Sequence, residues 1–95
     1  MLRGYVYILA SKRNGTQYTG STNNLFGRIQ AHREGKGCVF TAKYNVRMLV
    51  WYEEHELVKA AIQRETSIKR WKRSWKLALI EKDNPGWKDL FLDMM

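Results

Sequence analysis

Cysteine, proline and acidic side chains are all scarce in this chain, and each scarcity excludes something. Cys38 stands alone, so no intramolecular disulfide can form. One thiol with two widely separated histidines, His32 and His55, cannot supply the ligand set of a structural zinc site. A cytoplasmic setting is the simpler expectation. Pro85 is the only proline, and no Pro/Gly-rich linker, internal repeat or low-complexity stretch divides the sequence. Residues 1–95 therefore read as one domain with one modest core. The apolar run Tyr5–Ala10 is too short for a convincing signal peptide, and no run reaches membrane length, so no membrane-spanning role is expected. Acids number 9 against 17 Lys and Arg, giving a formal charge of +8 and a pI near 9.9. That balance favours an anionic partner, of which nucleic acid is the commonest.

What the chain does have is a clear local pattern. Tyr5–Ala10 and Gln17–Ser21 alternate aromatic and β-branched residues on either side of a loop containing Asn14-Gly15, which predicts a β-hairpin. Antiparallel pairing brings Tyr7 and Tyr18 into neighbouring positions, as core aromatics or as functional phenols. The cluster Ser21–Asn24 then offers N-caps for a helix over Leu25–Arg33. Counting from Leu25, the inward stripe is Leu25, Arg28, Ile29 and His32, so two polar side chains occupy positions that should be buried. A guanidinium there must either reach water or face a polar pocket.

Gly35-Lys36-Gly37 ends that helix and opens a loop from Cys38 to Asn45. Arg47–Glu53 reads as a third strand, apolar enough to be the central one of a small sheet. The acidic cluster around His55 marks that histidine as solvated. A helical pattern follows from Glu56 to Trp71, with Leu57, Ala60, Ala61, Ile68 and Trp71 inward. Glu65 falls on the flank of that buried face, which calls for a salt bridge to Arg28 or Arg64, or for a hard metal ion. Lys69, Arg70, Lys72, Arg73 and Lys76 surround Trp71 and Trp75 with no acid among them. Such a run suits a phosphate backbone, with the indoles either stacking on bases or packing in the core. Ser74 is placed to cap a short helix through Glu81, Asn84-Pro85-Gly86 to end it, and Trp87–Leu92 to form a last amphipathic turn. The fold class expected is α+β, a small three-stranded antiparallel sheet flanked by helices.

Together, Tyr5-Val6-Tyr7, Tyr18-Thr19-Gly20, Arg28 and His32 one turn apart, and Arg64-Glu65 on a later helix resemble the GIY-YIG nuclease domain over nearly the whole length. The likeness is to small stand-alone members and to the N-terminal nuclease domain of the bacterial excision-repair incision subunit. Thr19 replaces the middle residue of one triplet, and Tyr5 stands where the other has glycine, with Gly4 displaced by one. The resemblance implies a metal-dependent endonuclease acting on DNA. Tyr7 would be the general base, Tyr18 a positioning group, Arg28 the phosphate clamp and His32 a proton relay. Glu65 would be the ligand of a single Mg²⁺ or Mn²⁺. It also points to Lys43 and Tyr44 as lining the site, and to Asn84 as the late asparagine that completes it. A phenol with a pKa near 10 is a poor base at neutral pH, so Arg28 and the ion are expected to lower Tyr7 and make the rate climb on the alkaline side. The alternative is a nucleic-acid-binding module of the same fold that turns over slowly or not at all.

Overall fold

The computed structural model describes residues 3–95. The first two strands, β1 (Gly4–Ala10) and β2 (Gln17–Thr22), form the expected hairpin, with Tyr7 opposite Gly20 and Leu9 opposite Tyr18. Asn14 in the connecting loop takes a left-handed φ of 57°, which asparagine tolerates. Helix α1 (Leu25–Arg33) begins with the Asn24 side chain accepting a hydrogen bond from the Gly27 amide at 3.2 Å. The segment expected as a loop from Cys38 to Asn45 contains a short helix, α2 (Val39–Lys43), anchored by buried Thr41. Strand β3 (Met48–His55), α3 (Val58–Lys69), α4 (Arg73–Asp83) and a 3-10 turn (Leu90–Met94) complete the order.

The sheet is antiparallel throughout and runs β2-β1-β3, so β1 is central and β3 is an edge, contrary to the expectation for β3. Both faces of β1 are covered, with Val6 through Ala10 at most 1% exposed. Strand β3 ends instead in Glu53, Glu54 and His55, whose charges suit an edge that must refuse further pairing. His55 is not free in solvent: its Nε2 lies 2.8 Å from Glu53 Oε1, which also accepts from Arg64 Nε at 3.1 Å. A bulge opposite Ile8 and Leu9 leaves Val50 as an additional residue in β3, and Val50 and Trp51 both enter the same core cluster.

Two apolar layers sandwich the sheet. On one face Tyr7, Leu9 and Leu49 pack with Leu25 and Ile29 of α1 and with Phe91 of the terminal turn. On the other, Val6, Ile8 and Trp51 meet Ile68 of α3, Ile80 of α4 and Trp87. Several boundaries shift from those the pattern suggests. Helix α3 starts at Val58, with Leu57 largely exposed just before it, and Trp71 lies beyond its end. Helix α4 starts at Arg73 with Lys72 at the cap position, so Ser74 caps nothing. Trp87 lies outside the final turn, at a φ of 54°. Among the described residues no helix is long and apolar enough to cross a membrane.

Candidate active site

The exposed edge of β2 gathers side chains from both faces of the sheet. Tyr7 projects from the centre of β1 and lies across Gly20; a Cβ at that position would stand 2.5 Å from the Tyr7 hydroxyl oxygen. Only glycine lets the phenol pass over β2. The hydroxyl then reaches His32 Nε2 at 3.0 Å, and Arg28, one turn earlier on α1, lies against the same oxygen. This resolves the polar stripe on α1: Arg28 and His32 face tyrosines, not aliphatic side chains. Tyr18 sits alongside, its ring centroid 6.4 Å from that of Tyr7 and 5.4 Å from the His32 ring.

The far side of the imidazole is closed by α2 and the loop before it. His32 Nδ1 is 2.8 Å from Thr41 Oγ1, and that hydroxyl is 3.3 Å from the Cys38 carbonyl. A Cβ on Gly37 would stand 2.2 Å from Nδ1, so the loop passes directly over the ring. One proton arrangement satisfies every member. Thr41 donates to the Cys38 carbonyl and accepts from Nδ1–H, and the bare Nε2 accepts from the Tyr7 hydroxyl. His32 and Thr41 are both fully buried.

Glu65 arrives from the opposite face, on α3. Its carboxylate accepts a hydrogen bond from the hydroxyl of Ser21, the residue after Gly20, and pairs with Lys69 Nζ at 2.6 Å one helical turn on. The expected partners Arg28 and Arg64 are engaged elsewhere, Arg28 on Tyr7 and Arg64 on Glu53. Its side chain is 18% exposed, neither sealed off nor pointing into bulk solvent. Among the described residues no three His, Cys, Asp or Glu side chains gather into a ready-made metal cage. A single carboxylate fits Mg²⁺ or Mn²⁺ nonetheless, because such ions keep several waters and take further oxygens from a substrate phosphate. Ser21 and Lys69 leave part of its lone-pair capacity open.

The GIY-YIG catalytic domain family matches residues 3–78 of this sequence. The chain belongs to the GIY-YIG family. A UPF0213 protein of Staphylococcus haemolyticus is 39% identical over 82 residues, covering 86% of this chain and 99% of the relative. A UPF0213 protein of Clostridium perfringens is 45% identical over 76 residues, covering 80% and 81%. The solution NMR structure of a UPF0213 protein from Bacillus halodurans superimposes with a TM-score of 0.58 at 28% identity, over 93% of each chain. The family is one of nuclease domains, so nucleic acid is the implied substrate class, and its members generally depend on divalent metal.

Within this GIY-YIG chain the electrostatics depart from expectation at Tyr7. Burial pushes its pKa up to about 12, outweighing the opposing effect of Arg28. Burial also pushes His32 down to about 4, with Arg28 acting in the same direction. At neutral pH the pair is thus a neutral phenol donating to a neutral imidazole. Tyr18 is likewise raised, by burial first and then by Cys38. Lys69 is raised by its bond to Glu65, and its charge reaches Tyr18.

The remaining expected residues are dispersed. Lys43 and Tyr44 are exposed on and just after α2, with Lys43 Nζ 5.4 Å from the Tyr44 ring centroid. Arg70 and Lys72 are exposed beyond α3, where Lys72 lies over Trp75 at 5.2 Å. Arg73 instead ties α4 to the hairpin, donating to the carbonyls of Asn14 and Gly15 at 2.7 and 3.0 Å. Asn84 does not complete the pocket. Its amide donates to the carbonyls of Val50 and Lys88 and accepts from the Lys88 amide, pinning the terminal segment to β3, away from the β2 edge. The sequence pattern does not disclose the parts played by Thr41 and Gly37, which meet His32 only because the loop after α1 folds back on it, or by Ser21, whose partner Glu65 is remote in the chain. Lys69 as the partner of Glu65 was legible from the i, i+4 spacing of acid before base.

Proposed function

We propose that this chain is a divalent-metal-dependent endonuclease that hydrolyses phosphodiester bonds in DNA at the β2 edge. The observation that carries the reading is the hydrogen bond from the Tyr7 hydroxyl to His32 Nε2, under Arg28, at a place where a phosphate can approach. Arg28 clamps the non-bridging oxygens of the scissile phosphate. Tyr7 accepts the proton of the attacking water while passing its own proton to His32 Nε2, so no free phenolate has to form beforehand. The water oxygen bonds to phosphorus as the bond to the leaving sugar oxygen breaks. Tyr18 orients the water or the phosphate. Glu65 holds a single Mg²⁺ or Mn²⁺, which when bound supplies neutralisation of charge on the leaving oxygen. Ser21 and Lys69 hold the carboxylate at the strand edge, and the exposed cations Lys43, Arg70 and Lys72 follow the backbone of the substrate.

Glu65→Gln tests this reading with purified protein, plasmid and oligonucleotide DNA, and Mg²⁺ or Mn²⁺. Cleavage by the wild type should fall by at least a thousandfold in the variant or on chelation with EDTA, with binding retained to within a few-fold. Full activity in EDTA, or in Glu65→Gln, contradicts the assignment. A wild type that binds but cleaves no DNA with either metal makes the chain a binding module of the same fold.

A further inference from the structure

The aromatic contacts at the site do not end with Tyr7 and His32. The Tyr18 ring is followed by Phe40, centroid to centroid 6.1 Å with 31° between planes, and Phe40 by Tyr44 at 4.9 Å and 49°. The row thus runs from buried Tyr7 through half-buried Tyr18 out to solvent along α2, where Phe40 is 41% and Tyr44 47% exposed. Thr41 is the only buried residue in α2, and it holds His32. Neither outer ring fills the core. Two large aromatics left half in water, in line with a catalytic pocket, need another explanation.

The segment that carries the outer rings has charges of one sign only. From residue 35 to residue 52 the chain has Lys36, Lys43 and Arg47 and no acid. An open hollow beside α2, lined by Gly35, Lys36, Cys38, Val39, Ala42 and Lys43, brings two of these cations to that helix, although neither outer ring lines it. Arg28 lies close to Tyr18 and Cys38, so a phosphate held by Arg28 is adjacent to the start of the row. A polyanion leaving that phosphate along α2 meets cations at its backbone and flat rings at its bases. In a duplex both faces of each base are covered by neighbours, and such rings would find only edges. An unpaired base offers its whole face.

We propose that Phe40 and Tyr44 form a stacking site for unpaired bases next to the scissile phosphate, making single-stranded or locally opened nucleic acid the favoured substrate. This rests on the nuclease reading above for the position of the phosphate. The other aromatic patch is not part of this row. Trp71 packs on the core cluster, and exposed Trp75 meets it edge to face. The row of rings that includes Tyr7 and Tyr18 runs along α2 instead.

Binding without cleavage tests the proposal separately from catalysis. Fluorescence anisotropy in EDTA would compare a mixed-sequence single strand, its duplex, and the same strand with abasic sites at successive positions. The wild type should bind the single strand more tightly than the duplex at equal salt. Abasic sites at the stacked positions should weaken it by about fivefold or more each. The Phe40→Leu/Tyr44→Leu double variant keeps apolar contact without aromatic faces. It should bind the intact strand as weakly as the wild type binds the abasic one, and lose nothing further on the abasic strand. Equal abasic losses in both proteins overturn the proposal, as does equal wild-type affinity for strand and duplex. A double variant with unchanged affinity for all three also overturns it, leaving α2 as a surface for a protein partner. Absence of cleavage elsewhere would not alter these outcomes, and their failure would leave the nuclease reading standing.

Discussion

The two faces of the sheet contribute opposite kinds of chemistry to one strand edge. On the α1 side Tyr7, His32 and Thr41 are buried, neutral and fully hydrogen-bonded to one another. On the α3 side Glu65 and Lys69 are charged, and water reaches both. Passing a proton between fixed atoms benefits from exclusion of solvent, which keeps the phenol and imidazole at set separations and in one tautomer. Holding a hydrated metal ion requires the reverse, an ionised carboxylate with room for water and substrate oxygens. Strand β2 keeps the two apart because successive residues point to opposite faces: Gly20 passes Tyr7 on one side and Ser21 binds Glu65 on the other. The candidate site is a seam between a dry half and a wet half.

Removing the phenol hydroxyl should disturb the dry half most. Tyr7→Phe keeps the ring over Gly20 but leaves the attacking water no acceptor, so kcat in a DNA-cleavage assay should fall by about 10²- to 10⁴-fold. The affinity for DNA in EDTA should stay within a few-fold, which distinguishes it from a phosphate-clamp variant. Thr41→Val is a smaller and sharper probe, because Thr41 touches no substrate and acts only by positioning His32. Without an acceptor at Nδ1 the tautomer is no longer fixed, and kcat should drop about tenfold with KM unchanged. Thr41→Ser should restore most of it. If Val and Ser variants behave alike, the hydroxyl has no part in the site.

The dry half also predicts a dependence of stability on pH. His32 has an ordinary value near 6.5 when unfolded and about 4 when folded, so between those values the unfolded chain binds more protons. The stability tied to its neutral form is fully present above about pH 6.5 and is lost as the pH falls toward 4. From the size of the shift it amounts to a few kcal/mol. Urea midpoints measured from pH 7 to pH 5 should therefore fall in the wild type, and His32→Gln should remove much of that slope. An unchanged slope in the variant would mean the imidazole is already accessible to protons.

The local elements were the legible part of this fold. Alternation around Asn14-Gly15 predicted the hairpin, and the cap cluster before Leu25 located α1 to the residue. The polar stripe at Arg28 and His32 showed where a pocket must lie, because a guanidinium on an inward face demands a partner. Strand order was misread because apolarity was weighed along β3 without its charged end, whereas β1 has no charged residue from Gly4 to Ala10. Thr41 could not be found from sequence, since its hydroxyl meets His32 only after the loop at Gly37 folds across the ring. Arg28 does lower Tyr7 as expected, but without a bound ion the net shift is upward. Its positive neighbour was visible in the sequence, but the depth of its burial was not, and burial proved the larger effect.

The proposed mechanism requires Tyr7 to work as a neutral relay to His32 and not as a preformed phenolate. The pH dependence of kcat/KM for DNA cleavage at saturating Mg²⁺ decides between the two. With His32 near 4 and Tyr7 near 12, the rate should be level from about pH 6 to pH 9 and fall only in acid. A tenfold rise per pH unit across that range, lost in Tyr7→Phe, would show that the phenolate is the base and contradict the relay.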